Sequence, residues 1–310
     1  MIEVIFLYLI LASVFPLGRV AVTAAAPIFF TGVRMLWAGL VLIIYFYIRY
    51  PQEFKKYIRL RYVKIWLILT IFNIYLTNVL EFWGLQTLPA AKACFIYNLS
   101  PFFAALFSYI FFGERMTQKK WIGLMIGFVG FIPILIHNTP AEKLIGGISF
   151  FSWAELALLG AAGATAFGWV IMRHSIHKEN YPSVLANGMS MMLSAFLIIP
   201  TSLLFEQWNP IPISNYSYFV GTMLAITIAS NFIGYNLYAF LLKKYTATFL
   251  SLAGFMSPLF AAIMGWRFLK EKVSWHFFAS AAAVFIGLFI FYQEELRLGY
   301  ISYTKQKREQ

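Results

Sequence analysis

Long, nearly unbroken apolar runs constrain this chain more than any other feature. A helix needs roughly 20 mostly apolar residues to cross a bilayer. Ten runs meet or approach that length: Ile2 to Val22, Ile28 to Ile48, Tyr62 to Gly84, Ala90 to Phe112, Trp121 to Ile136, Trp153 to Met172, Ser183 to Phe205, Tyr218 to Leu242, Thr248 to Leu269 and Trp275 to Tyr292. Each is continuous rather than alternating, which favours helices over barrel strands. The polar connections are too short for a soluble domain. Apolar residues make up 61% of the 310, and charged residues 12%. An ordinary soluble domain is nearer half and a quarter, and a soluble fold of this length has no way to hide the excess. The expected fold class is an all-α membrane protein of ten transmembrane helices. Most soluble enzymes, nucleic-acid binders and disordered chains are excluded. Ala24-Ala25-Ala26 looks like a signal cleavage site, but Met1-Ile2-Glu3 carries an acid and no Lys or Arg, so the first run is expected to be a span.

The charge pattern sets an orientation. Net charge is +12. With the N-terminus inside, the inner connections and tail carry 17 Lys and Arg against 5 outside, with Arg19 and Arg34 left within spans. Both termini are therefore expected in the cytoplasm, with residues 294–310 a basic cytoplasmic tail. The positive charge is a topology signal, and no basic stripe on a folded domain calls for nucleic acid. All 12 acids are Glu, and Cys94 is the single cysteine. No metal or other cofactor and no internal disulfide is expected. His174 and His177, three apart, read as part of a solvated inner loop rather than a metal site.

The two halves repeat each other. At an offset of 157, Ser100-Pro101-Phe102-Phe103-Ala104-Ala105 meets Ser257-Pro258-Leu259-Phe260-Ala261-Ala262, and Phe111, Glu114, Thr117 and Gly130 meet Phe268, Glu271, Ser274 and Gly287. Ungapped matches at one offset indicate duplication, with one five-helix repeat at residues 1–137 and the other at 153–293. Five is odd, so the second copy is expected to enter the membrane from the opposite side. Inverted repeats of this kind build many secondary transporters.

The same residues carry a resemblance. Ser13 to Val20 with Arg19, Pro27, and Arg34-Met35-Leu36-Trp37-Ala38-Gly39-Leu40 resemble the first two helices of the EamA-type ten-helix members of the drug/metabolite transporter superfamily. Ser100-Pro101, Gly113-Glu114-Arg115, Gly123, Gly127 and Gly130 resemble the fourth and fifth, and Ser257-Pro258, Lys270-Glu271-Lys272 and Gly287 repeat that signature. The second copy departs from the pattern with Ser280 and Val284 where the first has Gly123 and Gly127. The resemblance implies a metabolite transporter, not an enzyme, with a central cavity and a place in an inner (plasma) membrane. Amino acids, nucleotide conjugates and S-adenosylmethionine are among the family's solutes.

Polar groups inside spans mark the expected cavity, because each is costly in hydrocarbon unless it meets a partner or water. Asn73, Thr77 and Glu81 recur at i, i+4, i+8 in the third span; Thr227, Asn231 and Tyr235 do the same in the eighth, with Tyr238 one turn on. Asn78 and Glu81 map to Tyr235 and Tyr238 under the offset. Glu81 is the acid clearly inside a span. It is expected either to carry a proton or hold a substrate ammonium, or else to form a static pair with Arg19 or Lys92. Arg19 and Lys92 would make the vestibule around Glu81 positive, which favours an anionic or zwitterionic solute. Arg34 is expected to lock helix ends or snorkel. Tyr97, Asn98 and Trp169 complete the candidate site; Trp37, Trp83, Trp169 and Tyr97 are candidates to stack a planar solute, the alternative in a chain with 33 Phe and 18 Tyr being ordinary lipid-facing or interface residues. Pro101 and Pro258 are expected mid-helix, as matched hinges. The expected activity is secondary active transport of a small polar metabolite by alternating access, with protons as a possible coupling ion and the bilayer as partner, in a monomer or homodimer. A lipid flippase or an embedded lipid-modifying enzyme is the alternative.

Overall fold

A computed structural model describes residues 2–113, 116–136, 146–148, 151–243, 245, 250, 253–254, 256–270 and 275–298. Ten helices run back and forth: α1 (Ile2–Ala24), α2 (Pro27–Arg49), α3 (Leu60–Gly84), α4 in two pieces (Ala90–Tyr97 and Ser100–Phe112), α5 (Gln118–Ile136), α6 (Trp153–Glu179), α7 (Ser183–Phe205), α8 (Tyr216–Leu241), α9 (Met256–Leu269) and α10 (Trp275–Arg297). Among the described residues, eight stretches are long and apolar enough to cross a membrane, α5 and α9 bring the bundle helices to ten, and a short helix, Pro51–Tyr57, follows α2. The chain is a multi-pass membrane protein. Glu114, Arg115, Lys143, Lys244, Glu271, Lys272 and the tail cations Lys305, Lys307 and Arg308 lie outside the described residues.

Helix ends are closed by local chemistry. Ser152 and Glu155 form a capping box at the start of α6, the Ser152 hydroxyl accepting from the Glu155 N–H and the Glu155 carboxylate from the Ser152 N–H. Pro27 begins α2, where its missing N–H costs nothing. The next two N–H groups of α2, of Ile28 and Phe29, donate to the Glu206 carboxylate at 2.7 and 2.8 Å. Glu206 follows the last residue of α7, so one side chain ties the start of α2 to the end of α7 and places a negative charge at a helix N-terminus.

Helices equivalent under the 157-residue offset pack against each other. Along α2 and α7, Gly32 faces Ile198 and Ile199, Gly39 faces Met192, and Gly188 faces Leu42 and Ile43. Numbers rise on one helix as they fall on the other, so the pair is antiparallel. Glycine is required at the crossing: a Cβ on Gly39 would stand 2.8 Å from the Met192 Cα. The equivalent helices α5 and α10 behave alike. Lys120 Nζ sits 5.3 Å from the Phe291 ring centroid, and Gly123 and Gly127 meet Gly287. Both partners of the Gly123–Gly287 contact have to be glycine, since a Cβ on Gly123 would stand 2.4 Å from the Gly287 carbonyl oxygen and one on Gly287 would stand 2.5 Å from that of Gly123. Antiparallel packing of equivalent helices requires a pseudo-twofold axis across them, in the plane of the membrane, as in inverted repeats. The contacts obey it, since α1 packs on α8 and α9 while α6 packs on α3 and α4.

Both repeats interrupt the α-helical pattern at matching places. Leu69–Leu76 in α3 and Thr227–Gly234 in α8 are π-helical. The fourth span is broken at Asn98 and Leu99, and Gly254 forms a turn just before α9, accepting from the Ser257 N–H at 2.8 Å. These breaks correct the expectation for the prolines. Pro101 and Pro258 do not kink continuous helices; each lies in the first turn of a new one, where proline displaces no helical hydrogen bond.

Candidate functional site

A cavity lies where the pseudo-twofold passes between the repeats. Its walls contain five pairs of residues related by the 157-residue offset: Tyr8 and Thr165, Asn78 and Tyr235, Glu81 and Tyr238, Tyr97 and Gly254, Ser100 and Ser257. Two of these equivalents touch across the axis, the Asn78 Nδ2 donating to the Tyr235 hydroxyl at 3.1 Å. One polar wall thus serves both halves of the molecule.

The π-helical segments decide which side chains reach the cavity. A π turn inserts one residue, and the Thr77 hydroxyl accordingly donates to the Phe72 carbonyl five residues back, at 2.8 Å. Positions spaced i, i+4, i+8 across this segment therefore do not share a face. Asn78 and Glu81 line the cavity, whereas Thr77 is buried outside its lining and Asn73 packs on Gly168, where a Cβ would stand 2.5 Å from its own. In α8 the same shift turns Asn231 toward the sulfurs of Met35 and Met191 at 3.3 and 3.6 Å, while Ser230, Gly234, Tyr235 and Tyr238 face the cavity.

The remaining candidates divide similarly. Tyr97, Asn98 and Trp169 line the cavity. Trp169 stacks on Tyr238, with centroids 4.3 Å apart and planes at 25°, and leans on Tyr235 at 5.3 Å, giving one wall of aromatic faces. Trp37 is 54% exposed on the outside of the bundle, and Trp83 is not part of the lining. Arg19 and Lys92 lie off the cavity. The Arg19 guanidinium donates to the Leu85 carbonyl at 2.6 Å, and Lys92 is paired with Glu155 at 2.7 Å in a buried clasp between α4 and α6. Neither pairs with Glu81, so the expected positive vestibule is not formed. Among the described residues, the Glu81 carboxylate has no hydrogen-bond or ion-pair partner within contact distance.

Behind this wall sits Arg34, fully buried. Its Nη2 donates to Asn78 Oδ1 at 2.8 Å, and its guanidinium lies 4.7 Å from the centre of the Phe82 ring. It does not snorkel. Its charge orients the amide whose other end holds Tyr235. Sequence reading did not single out Tyr8, Thr165, Ser230 or Ser257 as cavity residues, although the offset that pairs Asn78 with Tyr235 also pairs Tyr8 with Thr165.

The cavity thus combines an aromatic wall, a carboxylate with no hydrogen-bond or ion-pair partner among the described residues, and several neutral hydroxyls and amides. Comparison with known proteins identifies the fold and the family. A solved crystal structure matches the fold with a TM-score of 0.65 at 18% identity, covering 94% of this chain and 95% of that one. The chain is 37% identical over 295 residues to the S-adenosylmethionine/S-adenosylhomocysteine transporter of Chlamydia muridarum, covering 94% of this chain and 90% of that protein. It is 36% identical to the transporter of the same name from Chlamydia trachomatis serovar L2, covering 94% and 88%. It is 24% identical to the uncharacterized inner membrane transporter YedA of Escherichia coli, covering 86% and 82%. The model of the EamA-like transporter family matches twice, at residues 1–136 and 152–293. This chain therefore belongs to the EamA-like transporter family.

Proposed function

We propose that the protein carries S-adenosylmethionine and S-adenosylhomocysteine, or solutes of the same chemistry, across the membrane by alternating access. The observation that carries this reading is Glu81, an acid with no hydrogen-bond or ion-pair partner among the described residues and facing the charge of the buried Arg34 only at longer range, in the same cavity as the Trp169–Tyr238 ring pair. The adenine would stack on the aromatic wall. The amino-acid ammonium, common to both solutes, would pair with Glu81, while the Ser230 and Tyr235 hydroxyls supply neutral hydrogen-bonding groups. The named chlamydial relatives support this choice of solute.

The cavity straddles a twofold in the plane of the membrane, so opening it toward one face or the other uses equivalent movements of equivalent helices. The two packings are then close in energy, as reorientation requires. The orientation proposed is with both termini in the cytoplasm, which puts the Ala24 end of α1 outside and the Glu179 end of α6 inside. Binding is the first test. Purified protein in detergent should be stabilised thermally by either adenosyl solute and not by a panel of plain amino acids or nucleotides. Stabilisation by a different member of the panel, with none by the adenosyl compounds, would overturn the choice of solute.

A further inference from the structure

Two matching contacts tie helices together at opposite ends of the bundle. At the end holding Ala24, Arg19 near the end of α1 donates to the carbonyl of Leu85, the residue after α3. At the end holding Glu179, His177 Nε2 near the end of α6 donates to the carbonyl of Leu242, the residue after α8, at 3.0 Å. A carbonyl carries no proton, so Nε2 is the protonated ring nitrogen. The repeat offset carries Leu85 onto Leu242 and brings Arg19 within one residue of His177. His177 is exposed, as expected from sequence, but belongs to the last turn of a helix and not to a loop. That the two ends are opposite follows from the chain. α8 begins beside Ala24, where the Ser214 N–H donates to the Ala24 carbonyl at 2.7 Å, and runs to Leu241 at the far end.

Both acceptors sit one helical turn beyond a cavity residue. The Leu85 N–H donates to the Glu81 carbonyl at 2.9 Å, and the Leu242 N–H to the Tyr238 carbonyl at 3.0 Å. A pull on either acceptor is transmitted through one turn of helix to the cavity wall. At the first end, Gly18 also lets α1 come close to α3; a Cβ there would stand 2.9 Å from the Leu85 side chain. A donor on a last-turn carbonyl suits the negative pole of a helix.

We infer that Arg19 and His177 are positioning residues that act as paired latches, Arg19 holding the Ala24 end shut and His177 the Glu179 end. Release of one lets the cavity open toward its own side. The inference rests on the alternating-access reading but not on the identity of the solute.

The test measures accessibility. In full-length protein with Cys94→Ser, a cysteine at Ser230 in the cavity wall is labelled by a membrane-impermeant maleimide added to one side of proteoliposomes of known orientation. Arg19→Ala is expected to raise labelling from the Ala24 side about fivefold and lower it from the other, and His177→Ala to do the reverse, the scale of one lost hydrogen bond. Arg19→Lys and His177→Gln, which keep a donor, should return labelling toward the parent. A shift in the same direction for both alanine variants, or no shift in either, overturns the latches. If an alanine variant does not fold, Arg19→Gln or His177→Asn, with a shorter donor, is read in its place against the same two outcomes. A parent labelled from neither side under any condition counts instead against alternating access.

Discussion

Replacing Glu81 with Gln keeps the shape of the side chain and removes its charge. The carboxylate is 7% exposed and without a protein partner among the described residues, so its own desolvation belongs to the folded protein and not to the binding step. A solute ammonium at about 4 Å would gain about 4 kcal/mol at an effective dielectric constant of about 20. The ammonium loses water on entering, and taking that loss as about half the gain leaves about 2 kcal/mol, or about 30-fold in affinity. Competition for uptake into proteoliposomes reads this directly. We predict that Glu81→Gln weakens S-adenosylmethionine and S-adenosylhomocysteine alike, by about 30-fold. Methylthioadenosine, which has the adenine ring and thioether but no amino-acid group, should compete equally well against parent and variant. Unchanged affinity for both transported solutes, or an equal loss for methylthioadenosine, would refute the pairing of Glu81 with the ammonium.

Other outcomes test separate parts of the structure. Acidification that protonates Glu81 should weaken uptake by the parent, and Glu81→Gln should remove that pH dependence; a variant with the parent's pH profile would show that Glu81 takes no part in it. Trp169→Ala should cost about 2 kcal/mol of affinity for adenosyl solutes through lost stacking, measured by the same competition, with no matching loss for a solute lacking a planar ring. Lys92→Met leaves Glu155 buried without its cation and should destabilise the fold by about 3–5 kcal/mol, while Lys92→Met with Glu155→Gln, which removes the charge but keeps an acceptor for the Ser152 N–H, should recover much of that loss; thermal unfolding in detergent compares the two. Gly39→Leu should prevent close packing of α2 on α7 and abolish the folded monodisperse protein in size-exclusion chromatography, because the Met192 backbone already occupies the space.

The spans and the duplication are legible in the sequence because hydrocarbon demands long apolar runs and the repeat needs no gaps. The antiparallel sense of the copies follows from an odd number of spans, and the crossings at Gly39 and Gly123 bear it out. The cavity is legible only in part. Asn78, Glu81, Tyr235 and Tyr238 are visible as costly polar groups in apolar runs. Asn73 and Asn231 look the same on paper, yet the π-helical segments rotate them away, toward Gly168 and the two methionine sulfurs. No pattern of residue types announces a π turn, so a 3.6-residue period is the wrong ruler there. Tyr8, Thr165, Ser230 and Ser257 escape because small or aromatic polar residues are common in membrane helices. Glu155 escapes as the partner of Lys92 because it sits at a span boundary, where an acid reads as a loop residue, although Ser152 three residues earlier signals a helix start.

The central claim is that one pocket, shared by two oppositely inserted copies, takes solute from each side in turn. Trans-stimulated exchange tests it most directly. Proteoliposomes loaded with unlabelled S-adenosylhomocysteine should take up labelled S-adenosylmethionine faster than empty ones, and Glu81→Gln should reduce that stimulation. Uptake that is indifferent to internal solute, or stimulated equally by an unrelated metabolite, would contradict the account.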